Sequence, residues 1–149
     1  MDGTIFELGT DGPARILVGI DGSETSMRAG AYAAGMARRQ GSRLIALYVV
    51  PTVTLAAQLP ATAGAMIQTH HEIVQQLRTA VEEGAAQIGV TAEFVVRRGN
   101  PYRELLMVAD EMRVDAVVVG ASMQSGRRFV GSLAARLVRD AKWPITVVP

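Results

Sequence analysis

The stretch Val117-Val118-Val119-Gly120-Ala121-Ser122-Met123-Gln124-Ser125-Gly126-Arg127-Arg128-Phe129-Val130-Gly131-Ser132-Leu133 governs how the rest of the chain is read. Its consecutive valines are bounded by a glycine and are too few for a helix, which predicts a strand buried on both faces. Small residues and an arginine pair then predict a loop, and Gly131-Ser132 predicts the start of a helix over about 131–141. A loop between a strand end and a helix start presents backbone N–H groups beside the positive end of a helix dipole. That arrangement suits a phosphate group.

The same strand-then-helix pattern recurs on both sides of this stretch. Toward the N-terminus, Arg15-Ile16-Leu17-Val18-Gly19-Ile20 is a continuous apolar run that predicts a central strand, and Asp21-Gly22-Ser23 follows as a turn. Ser23 is placed to cap a helix over about 24–40, which carries Ala29, Gly30, Ala33, Ala34 and Ala37 and ends at Gly41. Small side chains let such a helix lie close to a sheet. Leu44–Val50 predicts a second strand, stopped by Pro51, and residues 51–64 form an uncharged connection with no periodic signal. Residues from about 65 to 88 predict a helix, because Ile73, Leu77, Ala80, Val81, Ala85 and Ile88 share one face. Glu93–Arg97 predicts a third strand, and Asn100-Pro101 a capped helix bearing Leu105, Leu106, Ala109 and Met112. Beyond the organising stretch, Pro144–Val148 predicts a fifth, short strand.

Strand and helix alternate four times and a strand closes the series, so the fold class is α/β, a parallel sheet covered by helices on both faces. In a sheet of order 3-2-1-4-5 the first and fourth strands flank the point where the winding reverses, which is where ligands bind. Asp21 and Gly120 then face one crevice. Residues 1–13, with Gly3, Gly9, Gly12 and Pro13, predict a flexible arm before a single domain over 14–149.

Composition narrows the function. Hydrophobic residues make up 49% and charged residues 19%, enough apolar material for a packed core. A net charge of +1 argues against nucleic acid or a membrane surface held by electrostatics. With no cysteine there is neither a disulfide framework nor a thiolate nucleophile. No apolar run reaches membrane-spanning length and no signal pattern opens the chain, which leaves the cytoplasm as the expected compartment. His70 and His71 are adjacent near a helix start and point apart, so they do not suggest a metal site. Neither a nucleophile–base pair nor a carboxylate dyad emerges, since Asp21 and Asp115 fall at opposite ends of their strands. Dedicated catalysis is not expected.

Taken together, Ile16–Ser23, Tyr48-Val49, Gly99-Asn100-Pro101, Val117–Gly120, Gly131-Ser132 and Pro144–Pro149 resemble the universal stress protein family from Arg15 to the C-terminus. The resemblance implies a flavodoxin-like three-layer sandwich, of the adenine nucleotide alpha hydrolase-like kind, with two helices on each face. It also implies a homodimer paired through the terminal strand 144–148, and a site for ATP or a related adenine nucleotide, with Mg²⁺ where ATP is bound. Carried over by position, it implies Asp21 at the ribose or phosphate side and Val49 at the adenine through its backbone. Gly120, Gly131 and Ser132 fall at the phosphates, with Gly99, Gly126 and Arg127 as further candidates.

Two departures from the family's phosphate pattern stand out. Met123 occupies the position of a second glycine, and seven residues instead of nine separate it from Gly131. The alternative is therefore a nucleotide-free dimeric interaction module, its site blocked by Met123 and the shortened loop. Gly126 and Gly131-Ser132 are spaced like a P-loop, but the lysine of that motif is missing. Several residues keep two readings at this stage. Asp21 orients a ribose or caps its own turn, Ser132 binds phosphate or caps the fourth helix, and Arg127-Arg128 clamps a ligand or is simply solvated. Tyr48 is core or pocket wall.

Overall fold

A computed structural model describes residues 12–51, 60–124 and 127–149. The elements run β1 (Arg15–Gly19), α1 (Glu24–Gln40), β2 (Arg43–Pro51), α2 (Pro60–Ile88), β3 (Ala92–Gly99), α3 (Pro101–Glu111), β4 (Ala116–Gly120), β5 (Ser122–Gln124), β6 (Arg127–Phe129), α4 (Ser132–Asp140) and β7 (Ile145–Val148). Five strands form a parallel sheet of order β3-β2-β1-β4-β7, the 3-2-1-4-5 order expected for the five main strands. β1 sits at its centre, with Leu17 in register with Ile45 on one side and Val117 on the other.

Alternation along the central strands divides the apolar side chains between two helical layers. Ile16, Val18, Ala46 and Tyr48 pack with Ala29, Ala33, Ala37, Leu77 and Ala85 of α1 and α2. On the opposite face Leu17, Ile45, Leu47, Val117 and Val119 pack with Leu105, Val108, Ala109, Ala134 and Leu137 of α3 and α4, and Trp143 lies against this second layer. Both faces of the central strands are thus buried, as their unbroken apolar runs require.

Helix ends follow local chemistry. Ser23 caps α1 by accepting from the Ser26 N–H, and Gly41 ends it at φ 68°, a left-handed conformation open to glycine at little cost. Asn100 caps α3 by accepting from the Arg103 N–H, with Pro101 in the first turn. α2 opens at Pro60, ahead of the expected 65. Small alanines give no periodic signal, yet alanine is the best helix former and proline is tolerated in the first turn. Of the connection read at 51–64, residues 52–59 lie outside the described residues, as do 1–11 of the N-terminal arm.

The larger departure follows β4. Where a loop was expected, β5 and β6 pair as an antiparallel hairpin, with Ser122 opposite Phe129, Met123 opposite Arg128 and Gln124 opposite Arg127. Among the described residues no helix is long and apolar enough to cross a membrane.

Candidate functional site

A cleft of about 430 Å³ opens at the carboxyl ends of β1 and β4, where the winding reverses. Its apolar walls come from Leu47 and Val49 of β2, Leu105 of α3 and Leu133 of α4. Its polar side comes from Asp21, Ser23, Thr25 and Ser26 around the start of α1, with Ser122 at the root of the hairpin. An apolar slot with a few convergent polar groups is the usual make-up of a small-molecule site.

The β1–α1 turn organises the polar side. Gly22 takes φ 86°, which folds the chain so that Asp21 Oδ1 accepts from the Ser23 N–H at 2.9 Å. The Asp21 N–H donates to Ser26 Oγ at 3.1 Å, and that hydroxyl donates onward to the Ser23 carbonyl at 3.0 Å. Burial pushes the Asp21 carboxyl up, but hydrogen bonding by Ser23 and Ser26 outweighs it and leaves the group below its ordinary value. Asp21 is therefore anionic at neutral pH.

Gly120 has a packing reason of its own. A Cβ built there would lie 2.5 Å from the Thr25 carbonyl carbon and 2.7 Å from the Ser26 nitrogen, so only glycine lets α1 approach β4 this closely. The buried Thr25 hydroxyl donates to the Ala121 carbonyl, while the Ala121 N–H donates to the Val148 carbonyl at 2.7 Å. Ala121 thereby ties α1, β4 and β7 together.

Asp21, Val49 and Gly120 line the cleft, as do Thr25, Ser26, Ser122 and Leu105, which sequence reasoning did not select. A run of hydroxyls in the first turn of a helix after a central strand was the available signal for Ser23, Thr25 and Ser26. Gly131 and Ser132 stand at the head of α4, next to the lining residue Leu133. Gly131 is itself the N-cap, so the alternative in which Ser132 caps α4 does not hold; Ser132 is the first helical residue and is exposed. Ser122 Oγ rests so close to Gly131 that a Cβ there would lie 1.8 Å from it. Gly99 is off the cleft wall; it ends β3 at φ 145°, where a Cβ would meet Glu104 Oε1 at 3.0 Å. Gly126 lies outside the described residues, and so do the side chains of Met123, Arg127 and Arg128.

Tyr48 belongs to the core and not to the pocket wall. It is buried in the α1–α2 layer, on the opposite side of the sheet from Leu47 and Val49, with its hydroxyl 2.9 Å from His70 Nδ1. Burial raises its phenol above the ordinary value, and the Asp21 charge adds to the rise. Asp115 sits at the far end of β4 and accepts from the N–H groups of Ala14 and Arg15 at 2.9 and 3.0 Å. Among the described residues no group of three or more His, Asp or Glu gathers as a metal site.

Comparison with known proteins follows the same lines. The chain is 28% identical over 138 residues to a universal stress protein of Methanocaldococcus jannaschii, covering 90% of this chain and 81% of that protein. Universal stress protein UspA of Lactobacillus plantarum has the same fold, with TM-score 0.76, 23% identity and coverage of 91% and 97%. So does an Arabidopsis thaliana member with AMP bound, with TM-score 0.68, 20% identity and coverage of 91% of each chain. A universal stress protein in complex with cAMP gives TM-score 0.66 at 24% identity, covering 92% of this chain and 97% of that one. The family model for universal stress proteins matches residues 13–149, and the chain belongs to that family.

Proposed function

We propose that the protein is a cytoplasmic stress-response regulator that binds an adenine nucleotide in the β1/β4 cleft and has no dedicated catalytic machinery. One observation carries this reading: an apolar slot at Leu47, Val49 and Leu105 faces the anionic Asp21 and a set of hydroxyls across the switch point of the sheet. An adenine ring fits the apolar side, where the backbone of Val49 reads its edge. Asp21 accepts from the ribose hydroxyls, and phosphate lies toward Ser122 and the Gly131-Ser132 start of α4. Structural relatives solved with AMP and cAMP support the choice of ligand class. Mg²⁺ would accompany a triphosphate.

Titration calorimetry and thermal shift with AMP, cAMP, ADP and ATP, with and without Mg²⁺, test the reading. Nucleotide at 100 times Kd is expected to add about 2.7 kcal/mol of stability. Asp21→Ala and Ser132→Ala are each expected to weaken binding. Absence of any shift at millimolar nucleotide would retire the proposal.

The second reading, a nucleotide-free dimeric interaction module, is favoured by Met123 in place of the second glycine and by a hairpin where the family pattern has a longer loop. Both readings place a homodimer contact at β7, which lies on an edge of the sheet. Equilibrium sedimentation is expected to find a dimer, and a monomer throughout the micromolar range would remove that contact.

A further inference from the structure

We infer that the cleft and the edge strand β7 form one coupled unit: a ligand in the cleft orders β7, and an ordered β7 pairs more tightly with a second copy of the chain. This rests on the nucleotide and β7-dimer readings above and assigns the site a regulatory output.

The joint between the two is Ala121, buried directly after β4. Its carbonyl accepts from the Thr25 hydroxyl of α1, and its N–H donates at 2.7 Å to the carbonyl of Val148, the last residue of β7. The preceding residue, Gly120, is in register with Val148 and leaves no room for a Cβ against the Thr25 and Ser26 backbone. The first turn of α1 therefore cannot shift without carrying Ala121, and with it the last rung of the β4–β7 ladder. Thr25 is 3% exposed, so its hydroxyl has no solvent to turn to if Ala121 moves away.

Thr25 and Ala121 both line the cleft, with Asp21, Ser23 and Ser26 on one side of their bond and Ser122 on the other. A ligand that touches both sides holds the bond closed. With the bond open those contacts are not made together, and this difference is what lets occupancy bias the strand.

β7 is an element that such a bias can move. It has four residues, stands at the edge of the sheet beside β4, and is nowhere fully buried. Short, half-exposed edge strands open locally at low free energy. The Pro144 and Val148 carbonyls accept from the Val117 and Ala121 N–H groups, so Ile145 and Val147 turn their own N–H and C=O toward the outer edge. A second copy pairs there only while the strand is extended. A ligand that has already ordered β7 lowers the entropic cost of pairing, and by linkage the second copy tightens the ligand in turn.

The test uses the full chain and AMP, with calorimetry fixing the concentration that saturates the cleft. Saturating AMP is expected to slow hydrogen exchange in the peptide covering 144–149 and to lower the dimer dissociation constant in equilibrium sedimentation, each by about fivefold or more. AMP that binds and moves neither quantity would overturn the inference and leave nucleotide binding intact. A chain that stays monomeric with AMP bound also overturns it, and no AMP binding at all overturns both readings. Thr25→Val keeps the branched shape and loses the hydroxyl; at saturating AMP its exchange and dimer constant are expected to stay at their ligand-free values. Thr25→Ser keeps the hydroxyl and the response. A folded Thr25→Val that still responds would overturn Ala121 as the joint, and the wild-type readings decide the coupling should that variant not fold.

Discussion

Gly120 shows how one hydrogen atom in place of a methyl sets the distance between a helix and a sheet. Gly120→Ala places a carbon 2.5 Å from the backbone of α1, where no rotamer change relieves the contact. The expected loss is about 1–3 kcal/mol in urea denaturation, together with weaker ligand binding, because α1 can retreat only by moving the cleft wall. Asp21 adds a dependence on pH. Its carboxyl lies below the ordinary value of 3.8, so the folded state binds that proton less readily than the unfolded chain. The resulting stability is present above the ordinary value and is lost as pH falls through the folded one. Asp21→Asn is therefore expected to shrink the difference between Tm at neutral and at acid pH, and an unchanged acid limb would refute this. Asp21 was legible in the sequence because it follows an unbroken apolar run at the end of β1, whereas Val49, one residue short of the end of its run, was legible only through the resemblance to the family. Thr25 was not, since its partner Ala121 is 96 residues away and nothing local announces the bond.

Among the elements, legibility followed the strength of the local chemical signal. The α1 boundaries were readable from Ser23 and Gly41, and the α3 start from Asn100-Pro101, because capping is a contest among a few neighbouring groups. Asn100→Ala removes the acceptor for the Arg103 N–H and is expected to cost about 1 kcal/mol by chemical denaturation. The β5–β6 hairpin escaped notice for the opposite reason. Its strands are only three residues each, too short for alternation to give a signal, and the sequence between them lacks Asn-Gly or Asp-Gly, so the ladder is a product of where β4 and α4 deliver the chain. The head of α2 was hidden by small residues that favour a helix without displaying its period.

For the molecule as a whole, topology was the most legible feature. Alternating strands and helices joined by right-handed crossovers leave few possible sheets, and the observed order β3-β2-β1-β4-β7 is one of them. The sheet separates two apolar layers, each capable of its own large losses. Leu137, fully buried between α4 and the sheet, is expected to cost about 2–5 kcal/mol on replacement by alanine in denaturant titration. The position of Trp143 gives these layers distinct optical signatures. It is the chain's one tryptophan and, among the described residues, packs on the α3–α4 side, so its emission watches one half of the interior while far-ultraviolet ellipticity sums the helices of both. A protein that melts as one body loses both signals at one temperature; separated midpoints would mean that the two sides of the sheet come apart independently.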